Sequence, residues 1–170
     1  MDTTILKTSL GLNLAQIAWV VKDINAAKRF FQDVMGITNF SNIVTICVKE
    51  FNATYYGKPS DAESLVSQAY SGGTFIELIQ PLSGPSVFQD YIDKNPAGGV
   101  QHFAYRIPVA DLDKVISQFE DKGFPIISSF DTPIAKIVFF DTSQVMTEIM
   151  GITKEGEEVI EKMKSGTAQQ

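Results

Sequence analysis

Apolar residues recur at helical spacing in two segments of the chain. Each segment follows the pattern i, i+3, i+4, i+7, which places one apolar stripe on a helix and predicts that the stripe faces a sheet. The stripes consist of Ala27, Phe30, Phe31 and Val34 in the first segment, and of Leu112, Val115, Ile116 and Phe119 in the second.

Capping residues support both helices. Asp23 or Asn25 is placed to cap the first helix and Asp111 the second, because short polar side chains accept hydrogen bonds from free N–H groups at a helix start. Gly36 and Gly123 stand where a left-handed residue ends a helix.

Strand-like apolar runs follow each helix. They cover 43–48 (extending toward Tyr56), 65–70 and 74–80 in the first half, and 125–129, 134–140 and 145–150 in the second. Gly72-Gly73 predicts a tight hairpin turn, while 57–61 and 141–144 have loop and turn composition. Residues 81–99 predict a connector with a short helix whose apolar face is Val87, Phe88, Tyr91 and Ile92; residues 153–164 predict a charged helix with Val159, Ile160 and Met163 on one side.

The two halves are an internal repeat. Gln16 opens Gln-Ile-Ala-Trp-Val and His102 opens His-Phe-Ala-Tyr-Arg, each ahead of one of the two helices. Glu77 and Glu148 lie in the closing strands of the halves. We therefore expect an α+β protein with one domain over 1–152, built from βαβββ modules at about 14–81 and 100–151, and then a C-terminal helix and tail at 153–170.

Composition and charge exclude some functions. The net charge of −6 argues against nucleic acid and an anionic membrane surface as partners, since both attract clustered Lys and Arg. The chain shows no apolar run of membrane-spanning length and no secretory signal. Cys47 is the one cysteine, which fits a reducing compartment, and a cytoplasmic location is expected.

Gln16, Glu77, His102 and Glu148 occupy equivalent places in the two modules, and this symmetry favours a divalent-metal site. A lone Glu on a strand is usually exposed, and a lone His is usually a hydrogen-bonded core or surface residue. Two carboxylates facing one polar cavity would repel each other, however, and a divalent cation would remove that repulsion. Carboxylate, imidazole and amide oxygen suit Zn, Ni, Co, Mn or Fe(II).

These segments resemble the vicinal oxygen chelate superfamily, which includes glyoxalase I, methylmalonyl-CoA epimerase, extradiol dioxygenases and fosfomycin-resistance proteins. The resemblance covers about residues 14–151. It lies in an opening strand at 16–23, a helix end at 30–36, and the segments 73–81 and 99–105, which look most like the epimerase branch. Gln16 stands where many members have His, and the set Gln, Glu, His, Glu is similar to that of eukaryotic-type glyoxalase I.

The resemblance implies paired βαβββ modules that form a cupped mixed sheet, with metal ligands Gln16, Glu77, His102 and Glu148. It also implies removal of a proton next to a carbonyl, with Glu148 as ligand and base and Glu77 as ligand and second base. The expected cofactor is Zn, Ni, Co or Mn, the substrate a small molecule such as a thioester or glutathione adduct, and the assembly a homodimer. With one His in the chain, two-His sites of dioxygenase and fosfomycin-resistance type are excluded.

Two further points stay open at the level of sequence. The first is a non-catalytic alternative, in which a protein of this fold binds an antibiotic-type small molecule. The second is the role of several residues around the site. Asp61 and Glu63 are either a second catalytic acid or polar loop residues; Lys49, Lys58 and Arg106 are candidates to meet an anionic substrate; Phe51, Tyr55, Tyr56 and Phe75 are candidates for an apolar pocket.

Overall fold

The computed structural model describes residues 10–142 and 145–165. Four helices are present in this part: α1 (Ile24–Asp33), α2 (Val87–Lys94), α3 (Leu112–Glu120) and α4 (Lys154–Lys164). The strands are β1 (Asn13–Val20), β2 (Val44–Cys47), β3 (Thr54–Tyr55), β4 (Lys58–Pro59), β5 (Glu63–Ser71), β6 (Thr74–Ser83), β7 (Gly99–Pro108), β8 (Ile126–Asp131), β9 (Ala135–Asp141) and β10 (Met146–Ile152). None of these helices combines the length and apolar character needed to cross a bilayer.

All ten strands form one mixed sheet in the order β2-β5-β6-β1-β7-β10-β9-β8-β3-β4. Within each module the first strand runs parallel to the last, β1 beside β6 and β7 beside β10. The modules meet where β1 pairs antiparallel with β7. The predicted α+β fold of two βαβββ modules in a curved mixed sheet is therefore confirmed.

Most of the core lies on the convex side of the sheet, beneath α1 and α3. Ile76 and Leu78 pack against Ile24 of α1, and Ile149 packs with Leu112 and Val115 of α3. Alternation along a strand then turns the intervening residues of β6 and β10 toward the concave side. Glu77 and Glu148 are two of these residues.

Helix α2, the predicted connector, lies at one end of the concave face. Its Ile92 packs with Ala18, Val20 and Ile79 of the sheet. Ser86 caps the helix by accepting a hydrogen bond from the Gln89 N–H. This end of the cup is thus closed by the chain that joins the modules.

Several local predictions need correction. On α1, Phe30 and Val34 are exposed, because the face that meets the sheet is Ile24, Ala27 and Phe31. Asp23 caps α1 as expected, whereas the Asp111 side chain makes no capping hydrogen bond on α3.

The run 43–56 is not one strand, and the predicted loop 57–61 is not wholly a loop. β2 ends at Cys47, a 3-10 helix covers Val48–Phe51, and β3 and β4 form a small hairpin. β3 pairs with β8 of the other module, Thr54 opposite Ser129. The Tyr55 hydroxyl also donates a hydrogen bond to the Asp90 carboxylate on α2.

This insertion links the two edges of the sheet. β2 is the first strand in the sheet and β3 lies near the other end, yet the chain between Cys47 and Thr54 spans at most roughly 25 Å. The two edges must therefore approach each other, which encloses the concave face. Of the predicted turn at 141–144, residues 143 and 144 lie outside the described residues, as does the tail beyond 165.

Candidate metal centre

Three side chains with metal-ligand chemistry meet at the centre of the concave face. One potential ligand atom each from Glu77, His102 and Glu148 lies within 4.8 Å of the others. The strand register explains the meeting: Glu77 and His102 both pair with Ala18 of β1, and Glu148 pairs with Ala104 of β7. Both alanines are fully buried between the strands that carry the functional residues.

The His102 imidazole is fully buried, and a contact with Gln101 orients its ring. Nδ1 lies 2.5 Å from Gln101 Oε1, while Gln101 Nε2 donates to the Val87 carbonyl at 3.4 Å. Nδ1 is therefore the nitrogen that donates to Gln101, which leaves Nε2 as the nitrogen that faces the carboxylates. Nε2 is 2.8 Å from Glu148 Oε2 and 3.8 Å from Glu77 Oε2, but has no hydrogen-bond partner among the described residues. A buried imidazole nitrogen that faces two carboxylates at these distances suits a cation bound between them.

Two phenylalanines hold the imidazole plane. Phe88 of α2 stacks on His102 with ring centroids 6.0 Å apart, and Phe139 of β9 meets it edge-on at 5.3 Å. The ring therefore has little freedom to rotate away from the carboxylates.

Glu77 is held by two amides. Gln16 Nε2 donates to Glu77 Oε2 at 2.7 Å, and Gln68 Nε2 donates to Glu77 Oε1 at 2.7 Å. Burial, and then the nearby charge of Glu148, raise the pKa of Glu77 to about 7. The carboxylate is thus costly to ionise in the metal-free protein, and a divalent cation would supply the missing compensation.

The Gln16 amide does not point its oxygen at the three candidate ligands. Its Nε2 binds Glu77, and its Oε1 accepts a hydrogen bond from Gln68 Nε2 at 3.2 Å. Coordination through Oε1 would require the amide to turn over. The donor set of Glu77, His102 and Glu148 therefore fits a divalent cation as it stands, and Gln16 as a fourth ligand stays a prediction.

Gln68 is a site residue that the sequence analysis missed. The hairpin at Gly72-Gly73 pairs Ser71 with Thr74 and, three residues further out, Gln68 with Glu77. Extending the predicted hairpin register by three residues would have placed this amide beside the carboxylate.

Gln101 was missed for a different reason. Neighbours on a regular strand point to opposite faces, so Gln101 was not expected beside His102. The β1–β7 register shifts at this point, however, and leaves Gln101 as the extra residue of a bulge. Ala15 is the matching extra residue before Gln16 in the other module, but its methyl side chain cannot form a hydrogen bond.

A cavity of about 700 Å³ opens in front of Glu77 and Glu148, with His102 buried behind its lining. Gln16, Glu77 and Glu148 line its floor, and most other lining side chains are apolar. Phe51 and Phe75 line it as expected, whereas Tyr55 and Tyr56 do not.

One of the charged residues considered as candidates lines the cavity, and the others do not. Arg106 lines the cavity, while Lys49 and Lys58 lie outside the lining. Asp61 is exposed, and neither it nor Glu63 reaches the cavity. The structure therefore gives no contact through which Asp61 would act as a second acid.

The raised pKa of Glu77 predicts a pH dependence of stability. A folded-state pKa near 7 against a usual 4.5 means that the native state binds more protons between these values, so stability falls as pH rises from 5 to 7.5. We expect the melting temperature in chelator to fall by a few degrees over this range. In Glu77→Gln the decline should be flatter; an equal decline in both proteins would refute the assignment.

Gln101 is expected to tune metal affinity without touching the metal. Gln101→Leu keeps the side-chain size but removes the acceptor that orients the His102 ring, so we expect affinity for Zn²⁺ to fall 10- to 100-fold. Isothermal titration calorimetry measures this, with Gln89→Leu on α2 as the control. Unchanged affinity in Gln101→Leu would show that the imidazole needs no such support.

The comparisons with known proteins agree with the fold. Methylmalonyl-CoA epimerase from Mycobacterium tuberculosis superposes with a TM-score of 0.61 at 20% identity, covering 86% of this chain and 92% of that chain. A variant of the Streptomyces coelicolor methylmalonyl-CoA epimerase, in complex with 2-nitronate-propionyl-CoA, superposes with a TM-score of 0.56 at 20% identity. The match covers 83% of this chain and 93% of that chain. At this identity the likeness concerns the fold.

The family assignment comes from the sequence itself. No curated protein matches the chain. A family model described as the Glyoxalase/Bleomycin resistance protein/Dioxygenase superfamily matches residues 15–139, which include Gln16, Glu77 and His102. The chain therefore belongs to the glyoxalase/bleomycin resistance protein/dioxygenase superfamily.

Proposed function

We propose that the protein is a metal-dependent isomerase that removes a proton from a carbon next to a carbonyl group and returns it. The observation that carries this proposal is the buried Nε2 of His102, which makes no hydrogen bond among the described residues and faces the carboxylates of Glu77 and Glu148, both of which line an open cavity. When bound, a divalent cation supplies an electrophile that lowers the energy of negative charge on a substrate oxygen.

Glu148 is the better placed proton acceptor of the two carboxylates. Glu77 already accepts hydrogen bonds from Gln16 and Gln68, and such bonds occupy the lone pairs a base would use. Glu148 has its one close polar contact with His102 among the described residues and lines the cavity. The C–H bond would break with its proton going to Glu148. The C–H electron pair would form the carbon–carbon double bond of an enolate, and the π pair of the carbonyl group would move onto its oxygen.

The return of the proton decides the type of product. Delivery by Glu148 to the adjacent carbon gives an isomer of the glyoxalase type, and delivery from the opposite face by Glu77 gives an epimer. Fold neighbours described as methylmalonyl-CoA epimerases support the second type, whereas the predicted ligand role of Gln16 would support the first.

The test is wash-in of solvent deuterium at the carbon next to the carbonyl, followed by proton NMR. The probes are methylmalonyl-CoA, the hemithioacetal of methylglyoxal with glutathione, and 1-hydroxy-2-octanone. We expect metal-dependent exchange with at least one of them. Exchange that is unaffected by chelator, or absent with all three under every metal, would contradict the proposal.

A second candidate function follows from the apolar character of the cavity. A protein that sequesters a hydrophobic small molecule needs such walls but no base, and it would bind its ligand equally well with and without metal. Tight binding without any deuterium exchange would favour this candidate.

A further inference from the structure

The walls of the cavity above the candidate metal centre are strongly apolar. Their side chains come from both modules and include Val44, Ile46, Phe51, Phe130, Ile134 and Ile152. A ligand that covers this apolar surface removes it from water, and this burial favours binding.

Helix α4 supplies part of this wall. Val159, Ile160 and Met163 all line the cavity from one face of the helix. The buried Gly156 lets the first turn approach the Ile134 carbonyl so closely that a Cβ would overlap that oxygen. The Thr153 N–H donates a hydrogen bond of 3.0 Å to the same carbonyl, so α4 is anchored beside the cavity.

The charge around the cavity does not match a polyanionic ligand. Among the described residues that line it, Arg106 is the one cation, and its Nη1 lies 4.0 Å from Glu157 Oε2 on α4. The other charged lining residues are Glu77 and Glu148, which are themselves carboxylates. A polyanionic group inside the cavity would thus lose water and meet one cation, Arg106, against two carboxylates.

We infer that the substrate is a hydrophobic carbonyl compound whose aliphatic or aromatic portion lies between α4 and the sheet. This inference rests on the proposed function for the position of the carbonyl, at the candidate metal centre. A glutathione adduct, by contrast, would place carboxylates and amides against apolar walls.

Chain-length dependence of binding tests the inference independently of catalysis. Hexan-2-one, octan-2-one and decan-2-one are titrated calorimetrically into the full-length protein in chelator. We expect affinity to rise about fourfold per methylene, with a negative heat-capacity change. Affinity that does not rise with chain length, or tighter binding of S-methylglutathione than of octan-2-one, would overturn the inference.

Two variants locate the apolar portion. Ile160→Asn on α4 is expected to weaken decan-2-one binding about tenfold, whereas Glu158→Asn on the exposed side of the same helix leaves it unchanged. Val44→Asn, at an edge-strand position that is 48% exposed, tests the opposite wall with little risk to folding and should also weaken binding. If Ile160→Asn and Val44→Asn bound decan-2-one as tightly as the control Glu158→Asn, the inference would be overturned.

Failure of this inference and failure of the proposed function have different signatures. Methyl ketone binding in chelator needs the cavity but neither metal nor base. Metal-dependent deuterium exchange without chain-length dependence of binding would overturn the substrate class and leave the isomerase proposal intact. Chain-length-dependent binding without metal-dependent exchange would overturn the isomerase proposal and leave the apolar binding site intact.

Discussion

Glu148→Gln is expected to move two properties of the protein in opposite directions. Affinity for divalent cations should fall by at least about 100-fold, because even residues outside the coordination shell account for 10- to 100-fold. The metal-free protein should become more stable by a few degrees in melting temperature, since the change removes the charge that disfavours ionised Glu77. The introduced amide also offers an N–H to the unpartnered His102 Nε2.

Calorimetric metal titration and thermal unfolding in chelator measure the two effects. Glu158→Gln makes the same chemical change on the exposed side of α4 and should alter neither property. A purely structural Glu148 would give a different result: the variant would lose stability and keep its affinity for metal. That result would contradict the assignment of Glu148 as a ligand.

Glu148→Asp is expected to separate metal binding from proton transfer. The shorter side chain keeps its charge but withdraws the carboxylate by about one bond, and a displacement of about 1 Å costs on the order of 100-fold in rate. We therefore expect the rate of deuterium exchange to fall about 100-fold or more at saturating metal, with metal affinity reduced about tenfold or less.

Glu77→Asp provides the matched comparison. The Glu77 carboxylate is positioned by Gln16 and Gln68, so shortening it breaks these contacts and should weaken metal binding more than it slows exchange at saturation. If Glu77→Asp were the slower of the two at saturating metal, Glu77 rather than Glu148 would be the base.

The fold could be predicted to a large extent because its information is local and repeated. Strand alternation around Glu77 and Glu148 and the matching helix patterns define each module without knowledge of distant contacts. The pairing of β3 with β8 joins residues about 75 positions apart, as in the Thr54–Ser129 contact, and no local pattern specifies it. On α1 the stripe was misplaced because Phe30 is apolar yet exposed, and periodicity alone does not say which neighbouring positions meet the sheet.

The candidate site was predictable in residue type but not in detail. Symmetry between the modules identified the histidine and both carboxylates, and the structure brings these three together. The orientation of the Gln16 amide and the contact of Gln101 with His102 depend on hydrogen bonds and on a bulge, which a sequence pattern does not encode.

The measurement that tests the divalent-cation site most directly is elemental analysis of the untagged protein, before and after incubation with Zn, Ni, Co and Mn. We predict close to one divalent ion per chain, and loss of that ion in His102→Ala, with circular dichroism to show that the variant is folded. A folded wild-type protein that retains no divalent ion after these incubations would contradict the metal centre and the isomerase function proposed from it.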